Sequence, residues 1–363
     1  MTKKILVISI GGLGDQILFL PCLKEIKRQN PDSEITFLVD ERAGLPHNSI
    51  KDLTPLIDNL ICWGNIVSAK SKLLNLLKLA INIVNNRYDI IINHSASKFL
   101  PVILLFARVI GIRKIIGYDK YNLRLKNLLY TDIKPLNEEQ YAVYKYLDLV
   151  CDNPSEYKFP EIYIPEKDQE WAKSFISKEL KTIVVHPGIS IASVKRNLIK
   201  NLSPETYAQI IIELLKGEEY QVIMTGGKDD LIVADRIKSE LEKQIIDSRF
   251  INLCEKTNRI TKLAALIKDC DLLICNDSAP LHLGVALNKK VIAIFGPTNY
   301  KRYVPLNNQN ITIIRNNLLY CSPCLFTDDV SKKRTATCQN PLCLNIPPET
   351  IVNEVFSCLK KTV

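Results

Sequence analysis

Short apolar runs alternate with segments of helical period along this chain, and the alternation stops once and then restarts. KILVISI reads as a strand. After it, Ile17, Leu18, Leu20, Leu23 and Ile26 recur at helical spacing across residues 15–29. EITFLVD is the next strand, residues 73–84 form a mostly apolar helix, YDIIINH is a strand, and EEQYAVYKYLDLV has helical period again. A strand followed by a helix must re-enter its sheet in the same direction. The pattern therefore predicts an α/β protein with parallel strands covered on both faces. Between residues 151 and 168 the pattern lapses. NPSEYKFPEIYIPEKD carries Pro154, Pro160 and Pro165 among charged residues and reads as a linker. TIVVHPG, YQVIMTGG, DLLICND and KVIAIFGPTN are then strands, with helices over 204–215, 231–241, 260–268 and 280–287 between them. The organisation expected is two domains, 1–165 and 166–345, and a closing segment 346–363. In open sheets of this kind ligands sit beyond the carboxyl ends of the strands, here in a cleft between the domains.

Length and composition agree with this. The chain has 363 residues, enough for two cores, and 47% of them are apolar. No apolar run approaches the roughly 18 residues that span a bilayer. The first one, residues 5–10, is too short for a secretory signal, so the expected location is the cytoplasm. The net charge of +9 suits an anionic partner without choosing one. From Lys98 to Lys126 there are seven basic residues (Lys98, Arg108, Arg113, Lys114, Lys120, Arg124 and Lys126) against Asp119 alone. This run is either an ordinary solvated face or a patch for anionic headgroups at the inner-membrane surface. Aromatic residues are sparse there and no nucleic-acid-binding signature occurs, which argues against nucleic acid.

The turn after the first strand is GGLGDQ. It resembles a dinucleotide-binding turn but fails as one. Counting G-x-G-x-x-G from Gly12 requires a third glycine at the position of Ile17, and Asp15 would meet the pyrophosphate at a helix start, where an anion should be welcomed. Asp15 has two readings. It opens a helix as an N-cap, or it is a carboxylate held by Gly11, Gly12 and Gly14 to take a proton from a hydroxyl. In the second half, four polar turns end strands: HPGISI with Gly188, TGGKDD with Asp230, CNDSAP, and FGPTN. In CNDSAPLHL, Asp277 or Ser278 can cap the helix and Pro280 suits its first turn. The same start, with Ala279, presents backbone amides to an anion. His282 lies one turn into this helix, where packing or hydrogen bonding is its expected role. Together the turns suggest a nucleotide pocket.

Two motifs lead elsewhere. Asp269-Cys270-Asp271 is a D-x-D, but it precedes a strand and so lies at the wrong end for a ligand. Cys321, Cys324, Cys338 and Cys343 have a loosely zinc-like spacing among eleven cysteines. Reduced thiols are the expectation there, ahead of a structural zinc or a disulfide.

The opening ILVISIGGLGDQILFLPCLKEI, the block KNLSPETYAQII, the run MTGGKDD, the long stretch DLLICNDSAPLHLGVALNKKVIAIFGPTNYKRYVP and the tail CSPC…CQNPLCLNIPPETIVNEV resemble glycosyltransferase family 9 over nearly the whole length. The resemblance implies the GT-B fold, two Rossmann-like domains whose parallel sheets face across a cleft, with the closing helix packing back on the first domain. It implies an inverting, metal-independent and cofactor-free transfer from a nucleotide-diphospho-sugar. That donor would be ADP-heptose and the acceptor a lipopolysaccharide core or related glycan. By the same resemblance Asp15 matches the general base, and Gly11, Gly12 and Gly14 the acceptor side. Lys200 matches the lysine on the donor phosphates, with Lys195 and Arg196 as rivals. Gly188, Asp230, Asp277, Ser278, Ala279, Pro280 and His282 fall on the donor side, with Asp230 near the ribose. Leu202, Ala279, Asn288 and Lys290 depart from the family's usual Trp, Gly, Gly and Pro, and these departures leave the donor sugar open. The alternatives are a relative with another donor and a non-catalytic binder of nucleotide sugars.

Overall fold

In a computed structural model of the chain, described for residues 2–40, 49–63, 69–95, 100–118, 126–152, 154, 156–189, 200–325, 338 and 341–360, the residues form two compact units, Met1–Glu161 and Ile162–Val363. The first holds strands β1 (Lys4–Ser9), β2 (Glu34–Asp40), β3 (Asn59–Trp63), β4 (Ile90–Asn93), β5 (Lys114–Tyr118) and β6 (Asp132–Lys134). All pair in parallel, in the order β3-β2-β1-β4-β5-β6. The second holds β7 (Lys181–His186), β8 (Tyr220–Met224), β9 (Phe250–Asn252), β10 (Leu272–Asn276), β11 (Val291–Ile294) and β12 (Ile311–Ile314), also all parallel, in the order β12-β11-β10-β7-β8-β9. The two orders are the same doubly wound topology repeated. In each, the chain winds outward from the first strand, returns, and winds out on the other side. The strand order therefore reverses between β1 and β4, and between β7 and β10.

The inner strands are apolar throughout because helices cover both faces. Every residue of β8, β10 and β11 is buried. Strands missed from the sequence lie mainly at the edges. β6, β9 and most of β12 are half-buried, so their apolar signal is short and mixed. β5 is buried except at Lys114, but it contains Gly117, against which the ring of Tyr130 packs. The helix expected over 15–29 is two helices, Leu13–Leu18 and Leu20–Gln29. Pro21 in the first turn of the second cannot extend a continuous ladder, and Phe19 is the joint.

The closing helix, Pro348–Lys360, buries Ile351, Val352, Val355 and Leu359 in the core of the second unit, against the helix Pro204–Leu215. Its apolar stripe is thus taken up there, where the family resemblance implied the first domain. The ammonium groups of Lys181 and Lys290 donate to the carbonyls of Leu359 and Cys358 at 3.1 and 2.9 Å, capping the negative end of this helix. Lys290 thereby does a job that the proline usual at its position could not. Asn288 has φ +54°, in the left-handed region. Asparagine tolerates that region better than any residue except glycine, so it keeps the turn that glycine usually makes.

Asn288→Gly is expected to change stability by less than about 0.5 kcal/mol, whereas Asn288→Val should cost about 1–2 kcal/mol. Urea unfolding of the two variants beside the wild type measures both.

Candidate functional site

Each sheet presents polar residues where its strand order reverses. In the first unit, β1 runs into Ile10 and the glycine turn. Ser95, just past β4, ties the two strand ends together. Its hydroxyl accepts from the Ile10 amide at 2.6 Å and donates to the Ile8 carbonyl at 3.1 Å. Gly12 is the N-cap of the helix Leu13–Leu18, so Asp15 sits at its third position, and the expectation that Asp15 itself opens the helix is corrected. The helix begins two residues earlier because a glycine can take the extended cap conformation. The half-buried Asp15 carboxylate reaches back instead, and its Oδ2 accepts from the Gly12 amide at 3.2 Å. Its Oδ1 accepts from the Tyr146 hydroxyl at 3.1 Å. A Cβ on Gly11 would lie 2.8 Å from Asp15 Oδ2, so glycine is required there for the carboxylate to fit. Gly14 lies within the first turn of the helix.

Sequence reading missed the residues that support Asp15. Tyr146, on the helix Ala142–Leu147, is buried, as is His94 just past β4. The His94 ring stacks on Phe19 with centroids 4.5 Å apart and lies 4.6 Å from the Tyr146 ring. The only signal was a histidine ending an apolar strand. Nothing marked Tyr146, because its partner is 131 positions away.

In the second unit, β7 ends at His186-Pro187-Gly188 and β10 at Asn276-Asp277-Ser278. Asn276 is fully buried and joins the two turns. It accepts from the Tyr207 hydroxyl at 2.7 Å and donates to the Pro187 carbonyl at 2.9 Å. Asp277 comes next. Its Oδ2 accepts from Lys200 Nζ at 2.8 Å, with both side chains almost wholly buried. Burial raises the Asp277 carboxyl, but the charge and hydrogen bond of Lys200 outweigh it. With help from His282 and Thr298 they hold the group below the usual carboxylate range. Asp277 is therefore occupied in holding Lys200 and does not cap the helix Ala279–Ala286. Ser278 takes the N-cap position, but its hydroxyl makes no cap bond and lies 3.4 Å from the Asn276 carbonyl. Ala279 and Pro280 form the first turn, Pro280 having no N–H to offer. The start of this helix, with a lysine fixed beside the preceding residue, is suited to an anion.

Asp230 lies across β7 and β8 from this helix start. Its carboxylate accepts from the Gly227 amide at 2.8 Å. It also packs so closely on Gly188 that a Cβ there would overlap it. Gly188 thus makes room for Asp230. His186 Nδ1 is 3.1 Å from the Thr225 hydroxyl. Burial lowers its pKa, and Asp230 opposes this more weakly. His282 is buried, with its ring 6.2 Å from that of Tyr303, in keeping with the packing role read from sequence. Lys195 and Arg196 lie outside the described residues.

A sequence model of glycosyltransferase family 9 (heptosyltransferase) matches residues 76–335. The chain belongs to glycosyltransferase family 9. It is 28% identical over 235 residues to the lipooligosaccharide heptosyltransferase 2 of Campylobacter jejuni subsp. jejuni serotype O:6, covering 64% of this chain and 69% of that protein. Among solved structures it resembles the ADP-heptose lps heptosyltransferase II of E. coli, with a TM-score of 0.74, 21% identity and 99% of both chains covered. It also resembles E. coli heptosyltransferase WaaC with ADP-2-deoxy-2-fluoro heptose, at a TM-score of 0.62 and 16% identity over 86% of this chain and 93% of that one. The GT-B fold implied by the sequence is thereby borne out, and this glycosyltransferase carries it as two parallel α/β units.

The motifs set aside from the sequence have structural places in the enzyme. Asp271 accepts from the Thr182 amide at 2.7 Å at the amino ends of β7 and β10, away from the strand ends that hold the site. None of the eleven cysteines is paired in a disulfide. Cys343 packs against Gly296, and burial, with its neighbours Cys324, Cys338 and Cys321, pushes its thiol up to about 11.

Two measurements test these assignments. Lys200→Ala leaves the buried Asp277 carboxylate without its cation and should cost about 3–5 kcal/mol of stability at pH 7. His186 is held neutral in the fold, so unfolding takes up a proton once the pH falls below about 6.5. Stability should therefore drop between about pH 7 and pH 5, and His186→Gln should flatten that limb of the curve.

Proposed function

We propose that this glycosyltransferase transfers a heptose from ADP-heptose to a lipopolysaccharide core or related cell-surface glycan. The anomeric centre inverts, and no metal takes part. The observation that carries the reading is Asp15. It is a carboxylate at the strand-order reversal of the first sheet, fixed by Tyr146 and Gly12 and given room by Gly11. A group held by two donors on two sides, on the end of a packed sheet, is oriented for one task. That task here is to take the proton of the attacking hydroxyl. With Asp15 as base, the acceptor oxygen attacks the anomeric carbon from the face opposite the nucleoside diphosphate. The new C–O bond forms as the bond to the diphosphate breaks, and the proton ends on Asp15.

The charge that grows on the leaving diphosphate needs cations and amide dipoles already in place. Lys200 and the start of the helix Ala279–Ala286 supply them, and Asp277 acts as the positioning residue that aims the lysine. The lysine's charge is partly matched by Asp277, so the helix start and the lysine must act together. In this reading Asp230, which packs beside Gly188, meets the ribose hydroxyls of the donor. The heptosyl donor is supported by the family's description and by the names of the relatives and of the donor analogue bound in WaaC. A lipid-linked acceptor would bring the enzyme to the inner face of the inner membrane.

Asp15→Ala should lower transfer from ADP-heptose by about a hundredfold or more while leaving the thermal shift given by ADP unchanged. For the wild type, ADP at about a hundred times its dissociation constant should add about 2.7 kcal/mol, with or without magnesium. Normal transfer by the variant removes Asp15 from the mechanism. A shift with UDP or GDP in place of ADP moves the donor to another nucleotide. A donor that binds but is never turned over leaves a binding protein.

A further inference from the structure

Two neighbouring helices of the first unit carry an apolar stripe on the side turned away from the core. The helix Ala69–Asn86 buries Leu79 and Ile83 against the sheet, and the helix Leu100–Val109 buries Leu100, Ile103, Leu104 and Ala107. They pack against each other on the same face of the sheet. A surface helix with its core face so filled should be polar on the other side. These are not. Leu74, Leu77, Ile81 and Val84 recur at three- and four-residue steps, and each is about half exposed. Val102, Leu105 and Val109 do the same on the second helix, with Val109 78% exposed. Leu128, on the helix Lys126–Leu129 next to the second of these, extends the patch. The two helices lie side by side, and their exposed stripes together exceed the scattered exposed residues of an ordinary soluble face.

The charges around the stripes are of one sign. Over residues 69–118 there are eight lysines and arginines and one acid, Asp89. That acid accepts from the Lys4 amide at the amino edge of the sheet. Lys78, Arg87, Arg108, Arg113 and Lys114 are exposed. We propose that this face lies on an anionic phospholipid bilayer, with the aliphatic stripes at the level of the upper acyl chains and the basic rim on the headgroup phosphates. No helix among the described residues is long and apolar enough to cross a membrane, so the contact is interfacial.

A second copy of the chain fits this surface less well. Two-fold docking would press one cationic rim against another, with Asp89, already bonded to the Lys4 amide, as the one acid within residues 69–118. Nucleic acid would meet the rim, but it has no use for an aliphatic centre. The proposal deepens the reading above, in which a lipid-linked acceptor brings the enzyme to a membrane, by naming the face that meets it.

Flotation of the whole protein with phosphatidylcholine vesicles, with and without phosphatidylglycerol, tests it. The wild type should float only with the anionic vesicles, and less so as salt rises. Arg108→Gln with Arg113→Gln should weaken binding about 25-fold, from about fivefold per basic residue. Leu77→Ser, Ile81→Ser and Val109→Ser together should bring flotation down to the level seen with neutral vesicles. All are exposed, so the unfolding midpoint and the ADP shift should stay as in the wild type. Three results overturn the proposal: no flotation of the wild type, flotation unchanged by the charge variant, or a dimer at sedimentation equilibrium that the serine variant dissociates. The last would make a second copy the occupant. Turnover of a water-soluble acceptor, measured on the same variants, reports separately on the transferase reading.

Discussion

Every strand in both sheets runs parallel to its neighbours, and the chemistry of the molecule is placed by that constraint. A parallel strand can only be followed by a crossover, so all the turns that leave strands in one unit open at the same edge. Where the order reverses, the two adjacent turns swing to opposite faces and leave a gap between them. In the first unit that gap holds Asp15 after β1 and His94 after β4. In the second it holds Gly188 after β7 and Asp277 after β10. Residues distant in sequence meet there because the sheet is wound outward in both directions from that point.

What keeps the second site rigid is costly by itself. A buried lysine and a buried aspartate each lose their hydration, and such pairs seldom gain net stability over an apolar replacement. The arrangement of Lys200 and Asp277 is better understood as orientation. A lysine on a long flexible stem is fixed near the start of a helix by a carboxylate delivered from the end of β10, the neighbour of β7 in the sheet. Asn276 does the corresponding work for the backbone. Its amide spans from Tyr207 to Pro187, so the turns after β7 and β10 cannot drift apart. The Asp15 carboxylate is held in the same manner, by Tyr146 from a helix more than a hundred residues later.

The two-domain α/β organisation and the turns that carry the polar residues were legible in the sequence. They rest on local signals: apolar runs bounded by glycine, and helix starts with proline or serine. The edge strands were not legible, because a half-buried strand such as β6 or β9 has no long apolar run. Nor was the aromatic support of Asp15. Phe19, His94 and Tyr146 meet only through tertiary packing, and no spacing announces them. The cap of the first helix was misplaced by three residues, being read at Asp15 where Gly12 holds the position. The same carboxylate serves the helix from its third residue, so the local energetics are similar and the sequence alone does not separate them.

The departures from the family pattern bear on how the donor should be judged. Asn288 preserves a left-handed backbone turn, and Lys290 caps the closing helix. Leu202 is wholly buried in the second core beside residues of the helix Pro204–Leu215. Each of the three serves the folding of the second unit, and Lys290 does so with a cap that the usual proline could not supply. Only Ala279 stands where an anion would be met, in the first turn of the helix after Asp277. An added methyl at a helix start alters the space above the amides while leaving their direction unchanged. These departures from the family pattern are thus mostly matters of packing and turns. They give little reason by themselves to assign a donor with a different diphosphate.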